Sequence, residues 1–409
     1  MKTQNKPKII QLCLCSVIHI PAVPVNYRFF SINQNHQYFN GIKTSTQVKK
    51  VCSENIVPYL QTLKSLCAFS RGKFKTAVVT SGITLAWMQK FVPHAIEMLA
   101  GLAENNCIEL LSGTWSNSLL PFTNEKRLLK QIEQYDNYIA VRFGAKPEVI
   151  FVRSPLCSIN RSILFNNGKK AIITCSDTFL NDNQQPVCNH TKGLFPGAVF
   201  YINERLSSVL AQIDIHTACK SQKEISSAVF RKIRKNIPCL APFVLVYQPT
   251  APNRPFDKQR AGVWKKVMQH FLSDSGTEFI HPRDCQLNAG EENVSTNTLP
   301  MNVLHQFRQP RLWIGNNLQK EAVNKLMQLQ AKMPDDPDKT LALDWERIQD
   351  MDYLYYMSTR FTEKDYADTW FNPYQSPYLA FINYMNALDD LDGRLTTGKI
   401  KYHPQLHTA

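Results

Sequence analysis

Long apolar runs are missing from this sequence. No stretch approaches the roughly 20 consecutive apolar residues that a membrane-spanning helix needs, so we expect no membrane span. The basic start Lys2–Lys8 followed by apolar Ile9–Ile20 has the order of a signal peptide, but polar residues interrupt the apolar part and no clean small-x-small cleavage site follows. We therefore expect Ile9–Ile20 to be a buried first strand.

Motifs for metal, cofactor or nucleophile chemistry are also missing. The 11 cysteines include no C-x-x-C pair, and Cys13 and Cys15 alternate with leucines, which is typical of small buried side chains on one strand face. An odd count in a chain of 409 residues favours reduced thiols and a cytoplasmic location. There is no H-E-x-x-H, no glycine-rich phosphate loop and no G-x-S-x-G element. We expect no metal, no cofactor and no serine or cysteine nucleophile.

Positive charge is abundant but uneven. The net charge is +14, with +16 in residues 1–300 and −2 in residues 301–409. Such an excess could attract nucleic acid, acidic lipid or another anionic polymer. The basic residues are dispersed, however, and no nucleic-acid-binding motif accompanies them. A solvated helix face explains the basic residues of Lys223–Asn236, so we expect neither nucleic acid nor membrane as a partner, and keep an anionic polymer as an alternative.

Strand and helix patterns alternate over the first two thirds of the chain, which predicts a parallel α/β sheet. About seven β/α units favour a closed or nearly closed barrel, with an open sheet as the alternative. From Trp313 onward the patterns are long and helical, and Pro334, Pro337 and Pro373 separate them. We predict a barrel domain in residues 1–285 and a helical domain in residues 286–409, with Gly276–Leu299 as a polar junction.

Several blocks, taken in order, resemble glycoside hydrolase family 57, the retaining α-amylase-like enzymes. In the first part of the chain, His19–Ala22 is similar to the family pattern H-Q-P-[FY], Tyr27–Phe30 to Y-R-F-F, and Glu109–Leu119 to E-F-L-A-E-T-Y-x-H-S-L. Near the C-terminus, Trp313–Ala322 is similar to W-x-G-N-D-L-Q-K-E-A, Asp352–Met357 to D-x-x-Y-Y-M, and Phe371–Tyr378 to F-N-P-Y-x-S-P-Y. The ordered set is specific, whereas any one block alone is weak. The resemblance implies an incomplete (β/α)7 TIM-like barrel followed by α-helices.

The positions of the two catalytic carboxylates depart from the family pattern. The family places a glutamate nucleophile where this chain has Pro155, and an aspartate general acid where it has Val246. Retaining hydrolysis needs two carboxyl groups about 5 Å apart, one to attack and one to donate a proton. Proline and valine can do neither, so we predict degenerate catalytic slots and no catalytic residues.

Other residues at the family's motif positions remain candidates for sugar binding. The resemblance implies substrate contacts by His19, Trp115, Asn117, Trp313 and Asn316, where Asn117 replaces a family histidine. Indole faces can stack on sugar rings and amides can bind hydroxyl groups. The alternative for each is an ordinary structural role, such as a hydrogen-bonded histidine at a strand end or a tryptophan in the core.

Two main functions follow from this pattern. The first is a catalytically inactive α-amylase-like homologue that binds an α-glucan or maltooligosaccharide, or acts on a protein partner. The second is an active glycosidase or glucanotransferase whose carboxylates have moved, with Asp177, Asp182 and Asp257 as the candidates. Asp257 precedes a helical run and fits a helix N-cap as well. The loss of both original carboxylates favours the inactive form.

Overall fold

The computed structural model describes residues 9–152, 158–175, 188–191, 197–211, 213, 221–237, 242–250, 255–285, 311–359 and 371–400. Within these residues the chain forms two compact units. The barrel unit takes its residues from Met1–Ile20, Gln47–Trp115 and Glu125–Val303, and the helical unit takes them from Pro21–Thr46, Ser116–Asn124 and Leu304–Ala409. Two segments from the N-terminal part of the chain thus cluster with the C-terminal helices. The predicted domains, residues 1–285 and 286–409, were contiguous and placed both segments in the barrel domain.

The barrel unit is built on parallel strands. The described strands are β1 (Ile10–Ile18), β2 (Thr76–Thr80), β3 (Ile108–Leu110), β4 (Val149–Phe151), β5 (Ala171–Thr174), β6 (Cys188–Thr191), β7 (Gly197–Tyr201), β8 (Phe243–Tyr247) and β9 (Thr277–Phe279). One sheet has the order β3-β2-β1-β8 and a second has the order β4-β5-β7-β6. The seven strands predicted from the sequence are β1 to β5, β7 and β8.

Two parallel bridges join these sheets into a ring. Ser112 bridges Ile150 beside β3 and β4, and Ile202 bridges Val244 beside β7 and β8. The backbone N–H of Ser112 donates to the Val149 carbonyl at 2.8 Å, which connects the two sheets at that point. The ring order is therefore β1-β2-β3-β4-β5-β7-β8, and the expected seven-stranded α/β barrel is confirmed.

Alternate residues of these strands fill the barrel interior. In β1, the side chains of Cys13, Cys15 and Val17 share one apolar cluster with residues from the other strands of the ring. Strands buried on both faces read as nearly continuous apolar runs, and all the β1 side chains except Gln11 are buried. The period of two places Cys13 and Cys15 inside the barrel, as the sequence predicted.

Helices follow the strands in the barrel unit. Their bounds are α1 (Gly41–Val51), α2 (Val57–Ser70), α3 (Gly82–Phe91), α4 (Pro93–Glu104), α5 (Glu125–Phe143), α6 (Ser158–Asn166), α7 (Glu204–Ala211), α8 (Gln222–Lys235) and α9 (Lys258–Ser273), with α1 extending across the boundary of the unit. Local sequence sets several of their ends. Ser221 and Glu224 form a capping box at α8, and Pro93 occupies the first turn of α4, where its missing N–H costs no hydrogen bond.

The helical unit contains α10 (Arg311–Ile314), α11 (Asn317–Lys332), α12 (Lys339–Ile348), α13 (Met351–Tyr355) and α14 (Pro377–Ile400). Pro334 and Pro337 separate α11 from α12, as predicted. The sequence pattern over residues 341–357 indicated one helix, but the structure divides it. Asp350 accepts a hydrogen bond from the Asp352 N–H and caps α13, so a new helix begins there.

A buried carboxylate ties the segment 33–38 to α14 within the helical unit. Asp390 accepts hydrogen bonds from the Tyr38 hydroxyl at 2.6 Å, from the Asn33 N–H at 2.6 Å and from His36 Nδ1 at 2.7 Å. Arg394, one turn later, donates to Asp344 at 2.8 Å. These contacts explain why the N-terminal segment clusters with α14.

The expectation of reduced thiols is wrong for one pair. Cys67 near the end of α2 and Cys107 just before β3 form a disulfide. The two cysteines are 40 residues apart, and the fold brings the end of α2 next to the start of β3. The spacing of these cysteines along the chain did not predict the disulfide, because the packing of α2 beside β3 brings the two residues together.

The polar junction predicted at Gly276–Leu299 contains a strand. β9 pairs in parallel with the first residues of β1, from Ile10↔Thr277 to Leu12↔Phe279. The short segment after β9, Ile280–Cys285, continues along the barrel strands, since the Ile280 N–H donates to the Leu12 carbonyl at 3.1 Å. The rest of the predicted junction lies outside the described residues.

Candidate functional site

The carboxyl ends of the barrel strands are where β/α barrels carry their functional groups. In this chain the inward-facing residues near those ends are apolar or small: Val17, Val79, Leu111, Phe151, Cys175, Ile202 and Val246. The interior is thus packed with aliphatic side chains and a buried thiol at this level. Such a lining offers no proton donor strong enough for glycosidic oxygen.

Val246, the predicted position of the general acid, lies in β8 and is half-buried. Its side chain packs against the apolar cluster inside the barrel, and its backbone N–H donates to the Ser207 hydroxyl at 2.9 Å. Val246 is therefore part of the core packing, and its equivalence to the family's acid stays a prediction. Pro155, the predicted nucleophile position, lies outside the described residues, as do Asp177 and Asp182.

Asp257 has a structural task. Its side chain accepts a hydrogen bond from the Arg260 N–H at 2.8 Å and caps the N-terminus of α9. The residue is exposed. This geometry agrees with the N-cap that its place in the sequence predicted.

His19 lies directly after β1 and is buried, with 2% of its surface exposed. Its Nδ1 is 2.9 Å from the Ser81 hydroxyl and 3.4 Å from the Thr84 hydroxyl. Thr84 also accepts a hydrogen bond from the Ile20 N–H at 3.0 Å. The three side chains form a polar cluster at the ends of β1 and β2, which is the arrangement expected of a hydrogen-bonded histidine at a strand end.

Sequence reasoning did not identify Ser81 and Thr84 as members of this cluster. Ser81 directly follows β2 and caps α3, accepting a hydrogen bond from the Thr84 N–H at 3.2 Å. The signal was present, because a serine between a strand and a helix is a typical N-cap. The sequence did not predict that this cap lies close to His19.

Trp115 is the most accessible of the aromatic candidates, and it is half-buried. Its indole ring lies against Gly82, where an added Cβ would meet the Trp115 Cε3 at 2.1 Å. The ring also makes an edge contact with Tyr138, with centroids 5.9 Å apart. Gly82 is thus required by the position of Trp115, and part of the indole surface remains available for a ligand.

Asn117 is held by the helical unit to which it belongs. Its Nδ2 donates to the Asp350 carboxylate at 2.9 Å, and its carbonyl accepts from the Met351 N–H at 2.8 Å. The amide that replaces the family's histidine therefore takes part in fixing the start of α13. A sugar hydroxyl would compete with Asp350 for this amide.

Trp313 is a buried residue of α10, and Asn316 is the cap of α11. Trp313 in α10 is 5% exposed, so little of its indole face reaches the surface. Asn316 caps α11 by accepting from the Gln319 N–H at 2.9 Å, and its Nδ2 donates to the Met357 carbonyl at 2.7 Å. Both geometries fit a structural role, and sugar contacts by these residues stay predictions.

One carboxyl group lies inside the barrel unit at the start of β3. Glu109 is 4% exposed and accepts a hydrogen bond from the Arg283 N–H at 3.1 Å. Burial raises the pKa of Glu109 to about 7, and the Arg283 N–H and guanidinium oppose this shift. Glu109 lies in β3 and is held by a backbone N–H of the segment that follows β9.

Comparison with known proteins identifies the architecture. Residues 18–210 match the family described as glycosyl hydrolase family 57. This part of the chain, somewhat less than half of it, is similar to that family. A GH57-type branching enzyme from Pyrococcus horikoshii superposes with a TM-score of 0.61 at 11% identity, covering 86% of this chain and 85% of that one. The family 57 barrel expected from the sequence is thereby confirmed as a fold.

Two further relatives share less of their length with this chain. The 4-alpha-glucanotransferase from Thermococcus litoralis gives a TM-score of 0.59 at 11% identity, over 86% of this chain and 59% of that one. Alpha-amylase 1 of Dictyoglomus thermophilum is 34% identical over 80 residues, which are 20% of this chain and 12% of that protein. This chain therefore spans less than two thirds of the length of either protein.

Membrane insertion finds no support in the helices. Among the residues that the structure describes, none of the helices is both long enough and apolar enough to cross a bilayer. The longest, α14, carries Asp389, Asp390 and Asp392 in its middle.

Proposed function

We propose that this family 57 relative binds α-glucans without cleaving them. The observation that carries the proposal is Val246, which the sequence motif predicts at the position of the general acid and whose side chain packs against the apolar interior of the barrel. A valine cannot protonate a leaving group, and the sequence places a proline at the nucleophile position. The fold of the enzymes is retained, and their two reacting groups are not.

Relocated carboxylates are the alternative, and Asp257 gives it little support. Its side chain is used as the cap of α9 and lies on the surface. Moving it toward a substrate would break the bond to the Arg260 N–H, with a cost of about 1 kcal/mol for the helix. Asp177 and Asp182 therefore carry this alternative, and their substitution tests it.

An α-glucan is the ligand class that the relatives favour. Their names are those of a branching enzyme, a 4-alpha-glucanotransferase and an alpha-amylase. In this chain Trp115 offers the aromatic surface best placed for a sugar ring, because His19 and Trp313 are buried and the amides of Asn117 and Asn316 have protein partners. Stacking on an indole face needs no charged group, which suits a neutral glucan.

The test combines binding and product analysis on the same samples. Calorimetric titration with maltoheptaose and glycogen should show binding, and chromatography should show unchanged ligand. Trp115→Ala should weaken binding at least tenfold, while Trp87→Phe, which alters a buried tryptophan of α3, should leave binding unchanged. Absence of binding in the wild type would overturn the proposal and direct attention to a protein partner. Products that disappear in Asp177→Asn or Asp182→Asn would establish relocated catalysis.

A further inference from the structure

Two thiols meet at the apolar cluster inside the barrel. Cys13 lies in β1 and Cys285 follows β9, and their Sγ atoms are 3.2 Å apart. A disulfide has a sulfur–sulfur distance of about 2.05 Å, so a small rotation of the two side chains would bring the sulfurs within bonding distance. Both cysteines are free in the structure.

The backbone holds this pair in place from both sides. β9 pairs with β1 from Ile10 to Leu12, directly before Cys13. On the other side, His281 Nε2 contacts the Asn106 carbonyl at 3.2 Å, and the Arg283 N–H donates to Glu109 at 3.1 Å. The Cys285 thiol also donates to the His281 carbonyl at 3.7 Å. The approach of the sulfurs is therefore fixed by several contacts of the fold.

The two thiols differ in their access to solvent. Cys13 has 0% of its surface exposed, whereas Cys285 is partly exposed. The contact with Cys285 and burial raise the pKa of Cys13 well above its usual value. A dissolved reagent would therefore react first at Cys285, since thiolate character and access control cysteine reactivity.

We propose that Cys13 and Cys285 are a modification site that small-molecule disulfides oxidise to a reversible protein disulfide. In the first step the Cys285 thiolate attacks one sulfur of the reagent, forming a mixed disulfide and releasing one thiolate. In the second step Cys13 attacks the Cys285 sulfur, and the second reagent thiolate leaves with the proton of Cys13. The protein loses two electrons and two protons, and the reagent becomes two thiols.

The bond would join residues 272 positions apart, from the first strand of the barrel to the segment after β9. Closing so long a loop strongly restricts the unfolded chain. The melting temperature of the oxidised protein should therefore be about 5–10 °C higher than that of the protein with both thiols reduced. This inference is independent of glucan binding, and its test does not involve a sugar.

The experiment uses the full chain and oxidised glutathione under native conditions, followed by blocking of free thiols and peptide mass spectrometry. Tryptic cleavage at Lys8 and Arg28 isolates Cys13 together with Cys15, and cleavage at Arg283 and Arg308 isolates Cys285. We expect a cross-linked pair of these peptides, with fragmentation assigning the bond to Cys13, and with reversal by dithiothreitol. Cys52→Ser, at a buried free cysteine in the barrel unit, should give the same cross-link as the wild type.

Two outcomes would overturn the proposal. One is a Cys285 peptide that carries glutathione together with a Cys13 peptide that carries the thiol-blocking group, which shows that Cys13 was still a free thiol. The other is a Cys13 peptide that stays free while Cys285 does not react at all. Cys285→Ser should abolish both the cross-link and the rise in melting temperature. The wild-type peptide map decides the question even if that variant folds poorly.

Discussion

Val246 lies opposite Cys15 in the parallel register of β8 and β1, and both side chains pack into the apolar interior of the barrel. The sequence motif predicts a proton donor at this strand position in family 57 enzymes, whereas Val246 contributes to core packing here. If the prediction is right, an acid at this position would affect both the chemistry at the strand end and the stability of the barrel.

Restoring the acid at this position should cost stability without restoring hydrolysis. Val246→Asp places a carboxyl group against Cys15 and the surrounding aliphatic side chains, so we expect a loss of about 1–3 kcal/mol in the free energy of unfolding. Urea denaturation measures the loss, and Val246→Thr, which keeps the shape, should lose less. Maltoheptaose should remain uncut, because position 155 still holds a proline. An aspartate variant as stable as the wild type would show that the position is open to solvent.

Gly82 and Trp115 should be coupled in stability. Gly82→Ala places a Cβ 2.1 Å from Trp115 Cε3, so the indole must move, and we expect a loss of about 1–3 kcal/mol. In the background of Trp115→Ala the same change should cost much less, because the clashing ring is gone. A double-mutant cycle by urea denaturation measures the coupling. Equal costs in both backgrounds would mean that Trp115 does not rest on Gly82.

Glu109 should make the barrel less stable as the pH rises from about 4.5 to 7. Burial raises the pKa of Glu109 from 4.5 to about 7, so the folded state retains a proton that the unfolded state releases in this range. The stabilising contribution is complete below pH 4.5 and is lost as the pH rises through 7. Glu109→Gln should therefore match the wild type near pH 4.5 and exceed its stability by about 2–3 kcal/mol at pH 8.

Glu109→Gln must be compared with the wild type because His281 changes the stability with pH in the opposite direction. Burial lowers the pKa of His281 to about 4, so its contribution to stability rises with pH between 4 and 6.5. This contribution is common to both proteins and cancels in the difference. The pH dependence of the stability difference between Glu109→Gln and the wild type is therefore the quantity that tests the prediction. A constant difference between Glu109→Gln and the wild type would contradict a proton held at Glu109.

Asp390 should stabilise the helical unit as a charged acceptor. Burial alone would raise the pKa of Asp390, but hydrogen bonds from Tyr38, the Asn33 N–H and His36 lower it below 3.8. Its contribution is thus present above pH 3.8 and is lost as the pH falls through the lower, folded-state value. Asp390→Asn should cost about 2–4 kcal/mol at pH 7 and should reduce the hydrogen-exchange protection of residues 33–38. Asp389→Asn, whose side chain is half-exposed, should leave that protection unchanged.

The barrel could be predicted from the sequence because its signals are local and repeated. Buried parallel strands read as short apolar runs, and amphipathic helices follow most of the strands in the ring. β9 was missed because Thr277–Phe279 is too short to show a period, and its pairing with Ile10–Leu12 is a contact across most of the chain. The Cys67–Cys107 bond escaped prediction for a similar reason, since tertiary packing alone brings these residues together.

The candidate site could be located from the sequence, but the roles of its side chains could not be assigned. Family motifs point to His19 and Asn316, yet a motif does not say whether a polar group faces a ligand or a neighbouring backbone. Asn316 and Gln319 form a capping box at the start of α11, although their N-x-x-Q spacing did not enter the prediction. The contact between His19 and Ser81 joins two strand ends and has no counterpart in sequence spacing.

The most direct test of the account is a prolonged incubation of the wild-type protein with maltoheptaose in ¹⁸O-labelled water, followed by mass spectrometry. Hydrolysis would add ¹⁸O at new reducing ends, and glucan transfer would produce chains both shorter and longer than the substrate. We predict unchanged, unlabelled maltoheptaose at protein concentrations where calorimetry shows the sugar bound. Labelled or redistributed products that vanish in Asp177→Asn or Asp182→Asn would contradict the account and show that the chain is an active enzyme.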